Sequence, residues 1–141
     1  MPAADRGKIA ERKLQAYLSA LATRSHNMWL RIPDAHGGSK TAKPSDFLYM
    51  QNGKLYVLEC KSTLHEYRLP HGNVDTAQIG RMRRWEMAGA RSFVAVYHET
   101  LDKWRLRHVD YFLERTGGSW DFRIEGDTPR TLEEILGEIV Q

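Results

Sequence analysis

Two acids and a lysine, Asp46, Glu59 and Lys61, flank a single turn that fixes how they meet. Asp46-Phe47-Leu48-Tyr49-Met50-Gln51 runs into Asn52-Gly53 and leaves as Lys54-Leu55-Tyr56-Val57-Leu58-Glu59-Cys60-Lys61. Asn-Gly between two apolar runs marks a two-residue hairpin, because both turn residues must take positive φ. With Gln51 facing Lys54, counting back pairs Met50 with Leu55, Leu48 with Val57 and Asp46 with Glu59. Directly opposed side chains have Cβ atoms about 4.5–5.5 Å apart, where like charges repel. A divalent cation offsets that repulsion, since hard cations such as Mg²⁺ are held by one or two carboxylates together with water and substrate phosphate. Lys61 lies two residues past Glu59 and shares its strand face. On a half-buried sheet face this trio reads as a catalytic centre. The competing reading is a salt-bridge cluster in which Lys61 merely neutralises one acid at a strand end. Cys60 points away from this face, as a core residue.

The elements that must position these groups follow from periodicity. From Asp5 to about Thr23, Ala10, Leu14, Tyr17, Leu18 and Leu21 recur at helical spacing and give an amphipathic helix. Glu11 lies beside Leu18 on that wheel, either turned toward the sheet or as an ordinary surface glutamate. Met28–Ile32 reads as a short strand ended by Pro33. The polar, glycine-bearing loop from Asp34 to Ser45 carries Lys40 and Lys43 straight into Asp46, where they contact phosphate or are simply solvated.

Beyond the hairpin, His65–Asn73 reads as a connection containing Pro70 and Gly72, with Asp75 as a helix cap or first-turn acid. The following helix, about Asp75 to Gly89, sets Ile79, Met82 and Trp85 on one apolar face. Gln78 falls within that face, where an unsatisfied amide costs about 1–3 kcal/mol, so it needs a partner in the backbone or in the acidic cluster. Arg81, Arg83 and Arg84 give the helix guanidinium groups suited to phosphate, or a solvated surface. Ser92–His98 is nearly all apolar, as a central strand covered on both faces. Trp104–Val109 pairs beside it, a short helix spans Asp110–Arg115, and Gly117-Gly118 breaks the chain. Trp120, Phe122 and Ile124 alternate with Asp121 and Arg123 as an edge strand would. Thr131-Leu132-Glu133-Glu134 is a capping-box pattern that opens a last amphipathic helix.

With 141 residues, the chain has the length of one domain, and 41% hydrophobic with 28% charged residues argues against disorder. A single cysteine rules out an internal disulfide and a cysteine-based zinc site, and suits a reducing interior. The six histidines show no His-X-X-X-His spacing, and no glycine-rich loop carries Lys-Ser/Thr, which argues against a zinc enzyme and an ATPase. No apolar run approaches the ~20 residues that cross a bilayer, so the expectation is an intracellular, cytoplasmic protein without a membrane partner. The net charge of +3 suits a polyanionic partner without requiring one.

The order helix with Glu11, strand, hairpin with Asp46, Glu59 and Lys61, helix with Gln78, then strands resembles the PD-(D/E)XK nuclease superfamily, its signature being Pro44-Ser45-Asp46 and Glu59-Cys60-Lys61. Ser45 separates the proline from the acid, a departure from the usual form. Within the superfamily, Lys8-Ile9-Ala10-Glu11-Arg12, Lys43-Pro44-Ser45-Asp46-Phe47, Glu59-Cys60-Lys61-Ser62-Thr63 and Arg68-Leu69-Pro70 with Gln78-Ile79 resemble Holliday-junction resolvases of the RecU and archaeal Hjc type. The resemblance implies an α/β, restriction-endonuclease-like fold: a mixed β-sheet flanked by helices, with an α-β-β-β-α-β core, an extra C-terminal strand and helix, and one nuclease-like domain over residues 1–141. It implies a metal-dependent, structure-selective endonuclease that resolves four-way DNA junctions in recombination and repair, as a homodimer. A restriction-like or flap-processing nuclease and a non-catalytic DNA-binding module are the alternatives. Carried over residue by residue, Asp46 and Glu59 bind Mg²⁺ or Mn²⁺ with the Cys60 carbonyl, and Glu11 assists through water. Lys61 polarises the attacking water, Gln78 orients water or substrate, and Lys40, Lys43, Arg81 and Arg84 contact the DNA backbone.

Overall fold

The computed structural model describes residues 3–22, 27–33 and 43–139, so Lys40 lies outside the described residues. Helix α1 (Ala3–Leu21) is followed by strands β1 (Asn27–Arg31), β2 (Phe47–Gln51), β3 (Lys54–Thr63) and β4 (Arg68–Pro70). Helix α2 (Thr76–Met87) then leads to β5 (Arg91–His98), β6 (Lys103–His108), β7 (Ser119–Asp121) and helix α3 (Leu132–Gly137). The main sheet runs β1-β2-β3-β5-β6, and β4 pairs with β7 in a separate ribbon. All contacts in the main sheet are antiparallel except β3 beside β5. That parallel pair requires a crossover, and α2 supplies it.

The Asn52-Gly53 turn forms as expected, with φ of 50° and 80°, and it sets Gln51 against Lys54, Met50 against Leu55 and Leu48 against Val57. Strand β5 is buried along nearly its whole length because both faces are covered. On one face Phe93, Ala95 and Tyr97 join Leu14 and Leu18 of α1, Phe47, Tyr49 and Leu58 of the hairpin, and Ile135 and Leu136 of α3. On the other, Val94 and Val96 meet Val57, Ile79 and Met82 of α2, Phe112, Trp120 and Phe122. This two-sided core on a mixed sheet is the restriction-endonuclease-like α/β architecture. No helix among the described residues is long and apolar enough to cross a membrane.

Both anticipated caps are present. The Asp75 carboxylate accepts from the Ala77 N–H at 2.9 Å, and Thr131 with Glu134 closes a capping box. Three local readings are corrected. Strand β7 is only three residues long, because the Asp121 carboxylate accepts the Arg123 N–H and caps a 3-10 turn over Phe122–Glu125, which buries Phe122 and leaves Ile124 exposed. The short helix expected at Asp110–Arg115 is a 3-10 helix over Val109–Leu113. Trp85 is partly exposed rather than part of the apolar face formed by Ile79 and Met82.

Candidate active site

Strand β2 begins only at Phe47, so the two acids at the root of the hairpin do not simply oppose each other; each crosses to the other strand's backbone. The Asp46 N–H donates to Glu59 Oε1 at 3.0 Å, and the Cys60 N–H donates to Asp46 Oδ2 at 3.0 Å. Their outer oxygens face cations: Lys61 Nζ lies 3.2 Å from Glu59 Oε2, and Lys43 Nζ 3.2 Å from Asp46 Oδ1. Ser45, buried between Pro44 and Asp46, donates its hydroxyl to the Phe47 carbonyl at 2.7 Å and fixes the approach to the first acid. The serine that interrupts the familiar motif thus has a local function of its own.

Glu59 is 3% exposed. Burial, followed by the neighbouring Asp46 charge, pushes its carboxyl up to about 8, against the opposing pull of Lys61. Burial and the same two acids also raise the Cys60 thiol, so Cys60 has no thiolate to offer as a nucleophile. It packs in the α1-side core, as its alternation predicts.

The acids open into a cleft of about 640 Å³ whose walls include Glu11, Lys43, Lys61 and Gln78. Glu11 reaches it from α1 and is held by Arg31 of β1 at 2.7 Å, a partner the sequence did not single out. Gln78 is buried in the first turn of α2, within its apolar face. Arg81 turns its Nε to the Lys43 carbonyl at 3.0 Å and so ties the approach loop to α2. Arg83 pairs with Asp110 at 3.1 Å, and Arg84 is exposed outside the cleft wall. Ser62, His65, Asn73 and Glu99 also line the cleft and went unread. Glu99 follows His98, which the parallel ladder sets beside Thr63, a juxtaposition no local pattern encodes.

Among the described residues no cluster of three or more histidine, cysteine or acidic side chains is placed to hold a metal, so the donor set is the acid pair. The pair fits a hard divalent cation. It offers carboxylate oxygens, and Glu59 carries a charge that burial disfavours even with Lys61 in contact, a deficit that a cation relieves.

A mixed sheet with buried acids at the root of a hairpin, a lysine one alternation further and a helix on each side defines a nuclease of the PD-(D/E)XK fold. The chain belongs to the archaeal Holliday junction resolvase (Hjc) family, which matches residues 3–140. It is thus a structure-selective endonuclease of recombination, in a family that is generally dependent on divalent metal. No curated protein matches the chain in sequence. In fold it is similar to Archaeoglobus fulgidus Hjc, a Holliday junction resolvase from an archaeal hyperthermophile, with a TM-score of 0.62 and 21% identity over 92% of this chain and 98% of that one. It is also similar to the bacterial homing endonuclease I-Ssp6803I, with a TM-score of 0.52 and 15% identity over 84% and 73%.

Proposed function

We propose that the chain acts as one nuclease-like domain and resolves four-way DNA junctions by Mg²⁺- or Mn²⁺-dependent hydrolysis at the Asp46–Glu59 centre. The observation that carries this is the reciprocal bonding of the two acids across the hairpin root, with Lys61 on the free oxygen of Glu59. Asp46, Glu59 and the Cys60 carbonyl would hold the ion, with Glu11 contributing through water. Such an ion supplies charge neutralisation at the scissile phosphate and makes water more acidic.

The chain's own groups do the rest. The backbone N–H groups of Asp46 and Cys60 hold the two carboxylates in one orientation before substrate arrives, so little reorganisation remains. Lys61, in contact with the free oxygen of Glu59, would orient the attacking water and stabilise the negative charge that develops. Gln78 orients water or the phosphate from the opposite wall. Lys43, Arg81, Arg84 and Lys40 are the backbone contacts, and Arg81 also steadies Lys43 through its carbonyl.

Junction resolution places one centre on each of two symmetric strands, so a two-fold pair of chains is the working unit. Met28, Leu30 and Met50, at 70%, 59% and 41% exposure, leave an apolar strip on the β1–β2 end of the sheet that favours such an association. The decisive experiment compares a synthetic four-way junction with duplex and flap DNA, with Mg²⁺ and with EDTA. Paired symmetric nicks on the junction in Mg²⁺ alone are expected. Preferential flap or duplex cutting, or binding without cutting, overturns the assignment. Sedimentation at micromolar concentration is expected to give twice the chain mass, and Leu30→Glu to give a single chain.

A further inference from the structure

Beyond Lys61, strand β3 ends at Thr63, and the loop that follows is held in an unusual way. Five successive carbonyls are each taken by a donor: Leu64 by Thr100 Oγ1 at 3.4 Å, His65 by His98 Nδ1 at 2.7 Å, Glu66 by Arg105 Nη1 at 3.0 Å, Tyr67 by the Phe122 N–H at 2.7 Å and Arg68 by Thr63 Oγ1 at 3.1 Å. Two of these donors are expensive. His98 is fully buried, and Arg105, 5% exposed, has among the described residues no carboxylate at hydrogen-bond distance and no partner for its buried Nε. A carbonyl only accepts, so His98 Nδ1 carries the proton and its Nε2 accepts Arg105 Nη1 at 3.0 Å. The imidazole is therefore neutral, in keeping with burial that lowers it to about 4. Fixing a surface loop with a buried guanidinium and a buried imidazole makes sense when the shape of that loop matters.

The consequence is geometric. In a planar trans peptide the N–H points opposite the carbonyl, so capture of the His65 and Glu66 carbonyls turns the N–H groups of Glu66 and Tyr67 away from the interior. Leu64 and His65 line the same cleft as Asp46, Glu59 and Lys61. Arg68 and Arg123 sit over the Tyr67 ring; of the nearby acids, Glu99 is engaged by the Ser62 hydroxyl at 3.0 Å and Glu66 is exposed to solvent.

We propose that residues 64–67 form a preset contact for a DNA backbone phosphate, made by the His65 imidazole and the outward N–H groups of Glu66 and Tyr67, with His98 and Arg105 as the positioning residues that hold its shape. Peptide N–H groups and imidazoles bind phosphate without regard to sequence, as a junction-selective enzyme requires. This deepens the nuclease reading of the cleft and rests on it.

The test is the binding of a fluorescent four-way junction in EDTA across a salt series, alongside single-turnover cleavage in Mg²⁺ at saturating DNA. His65→Ala, whose loop bonds are all main-chain, is expected to raise Kd about tenfold across the salt series. His98→Leu is expected to weaken binding at least as much and to speed amide exchange at residues 64–68. His98→Asn, which keeps a side-chain donor near the Nδ1 position, is expected to restore most of it. Unchanged Kd in His65→Ala overturns the proposal even if His98→Leu fails to fold, and unchanged binding by a folded His98→Leu overturns the positioning role. Wild-type protein that neither binds nor cuts branched DNA overturns the underlying reading, whereas normal wild-type cutting with an indifferent His65→Ala overturns this contact alone.

Discussion

Two partly buried charge clusters in this molecule behave in opposite ways. At the C-terminal end of β6, Arg107 meets Asp127 through two hydrogen bonds, 3.0 Å from Nη1 and 2.7 Å from Nη2, with Glu125 nearby. Those bonds hold the Asp127 carboxyl below its ordinary range against burial, and they raise the Arg107 guanidinium. At the hairpin root, by contrast, Glu59 is driven upward although Lys61 touches it, because burial and Asp46 outweigh one lysine. The first cluster balances its charges within the chain, with only the buried Nε of Arg107 lacking a hydrogen bond among the described residues, and serves stability. In the second a lysine faces each acid, yet burial still disfavours the Glu59 charge, the state of a site kept ready for a ligand at some cost to the fold.

The sharpest way to break this comparison is to neutralise the acids. Asp46→Asn or Glu59→Gln is expected to lower single-turnover junction cleavage by about 10³-fold or more while junction binding survives; turnover near wild type in either variant would refute their role. Next comes Lys61→Ala, expected to slow cleavage about 10²-fold with little change in Kd, since its work is at the reacting centre. A loss confined to affinity would move Lys61 out of the catalytic set.

For the self-sufficient cluster, Asp127→Asn is expected to reduce unfolding free energy by about 1–2 kcal/mol and to leave cleavage intact, which denaturant melts can check. The subtlest effect concerns pH. A carboxyl at 4.5 when unfolded and about 8 when folded costs nothing below 4.5, where both states are protonated. Between 4.5 and about 8 the unfolded chain gives up the proton first, so stability falls as pH rises, by at most about 1.4 kcal/mol per unit. Thermal melts in EDTA are therefore expected to show Glu59→Gln gaining on wild type across that window, and Mg²⁺ raising the melting temperature of wild type alone. A constant gap between the two proteins would remove the electrostatic half of the contrast.

Much of the fold and of the candidate site was readable in advance because local rules dictate it. The Asn52-Gly53 turn requires positive φ at both positions, and from it the register of β2 on β3 follows by counting. The caps at Asp75 and Thr131 and the all-apolar β5 are equally local signals. What went unread depends on elements far apart in the chain. The Arg31 partner of Glu11, the Arg81 tie to Lys43 and the captured carbonyls of residues 64–67 each join segments about 20 to 55 positions apart. The strand expected over Trp120–Ile124 forms but stops at Asp121 for the opposite reason: alternation is a weak signal once an aspartate side chain can cap a turn.

The amino-acid order alone settled which side chains share a strand face, because alternation and turn geometry are properties of neighbours along the backbone. That is enough to bring two acids and a lysine to one place and to suggest a cation. Only the folded chain decided how those acids are held, each on the other strand's N–H, and how far burial raises one of them. Electrostatic environment and parallel pairing arise from everything packed around a residue, and no window of sequence contains that information.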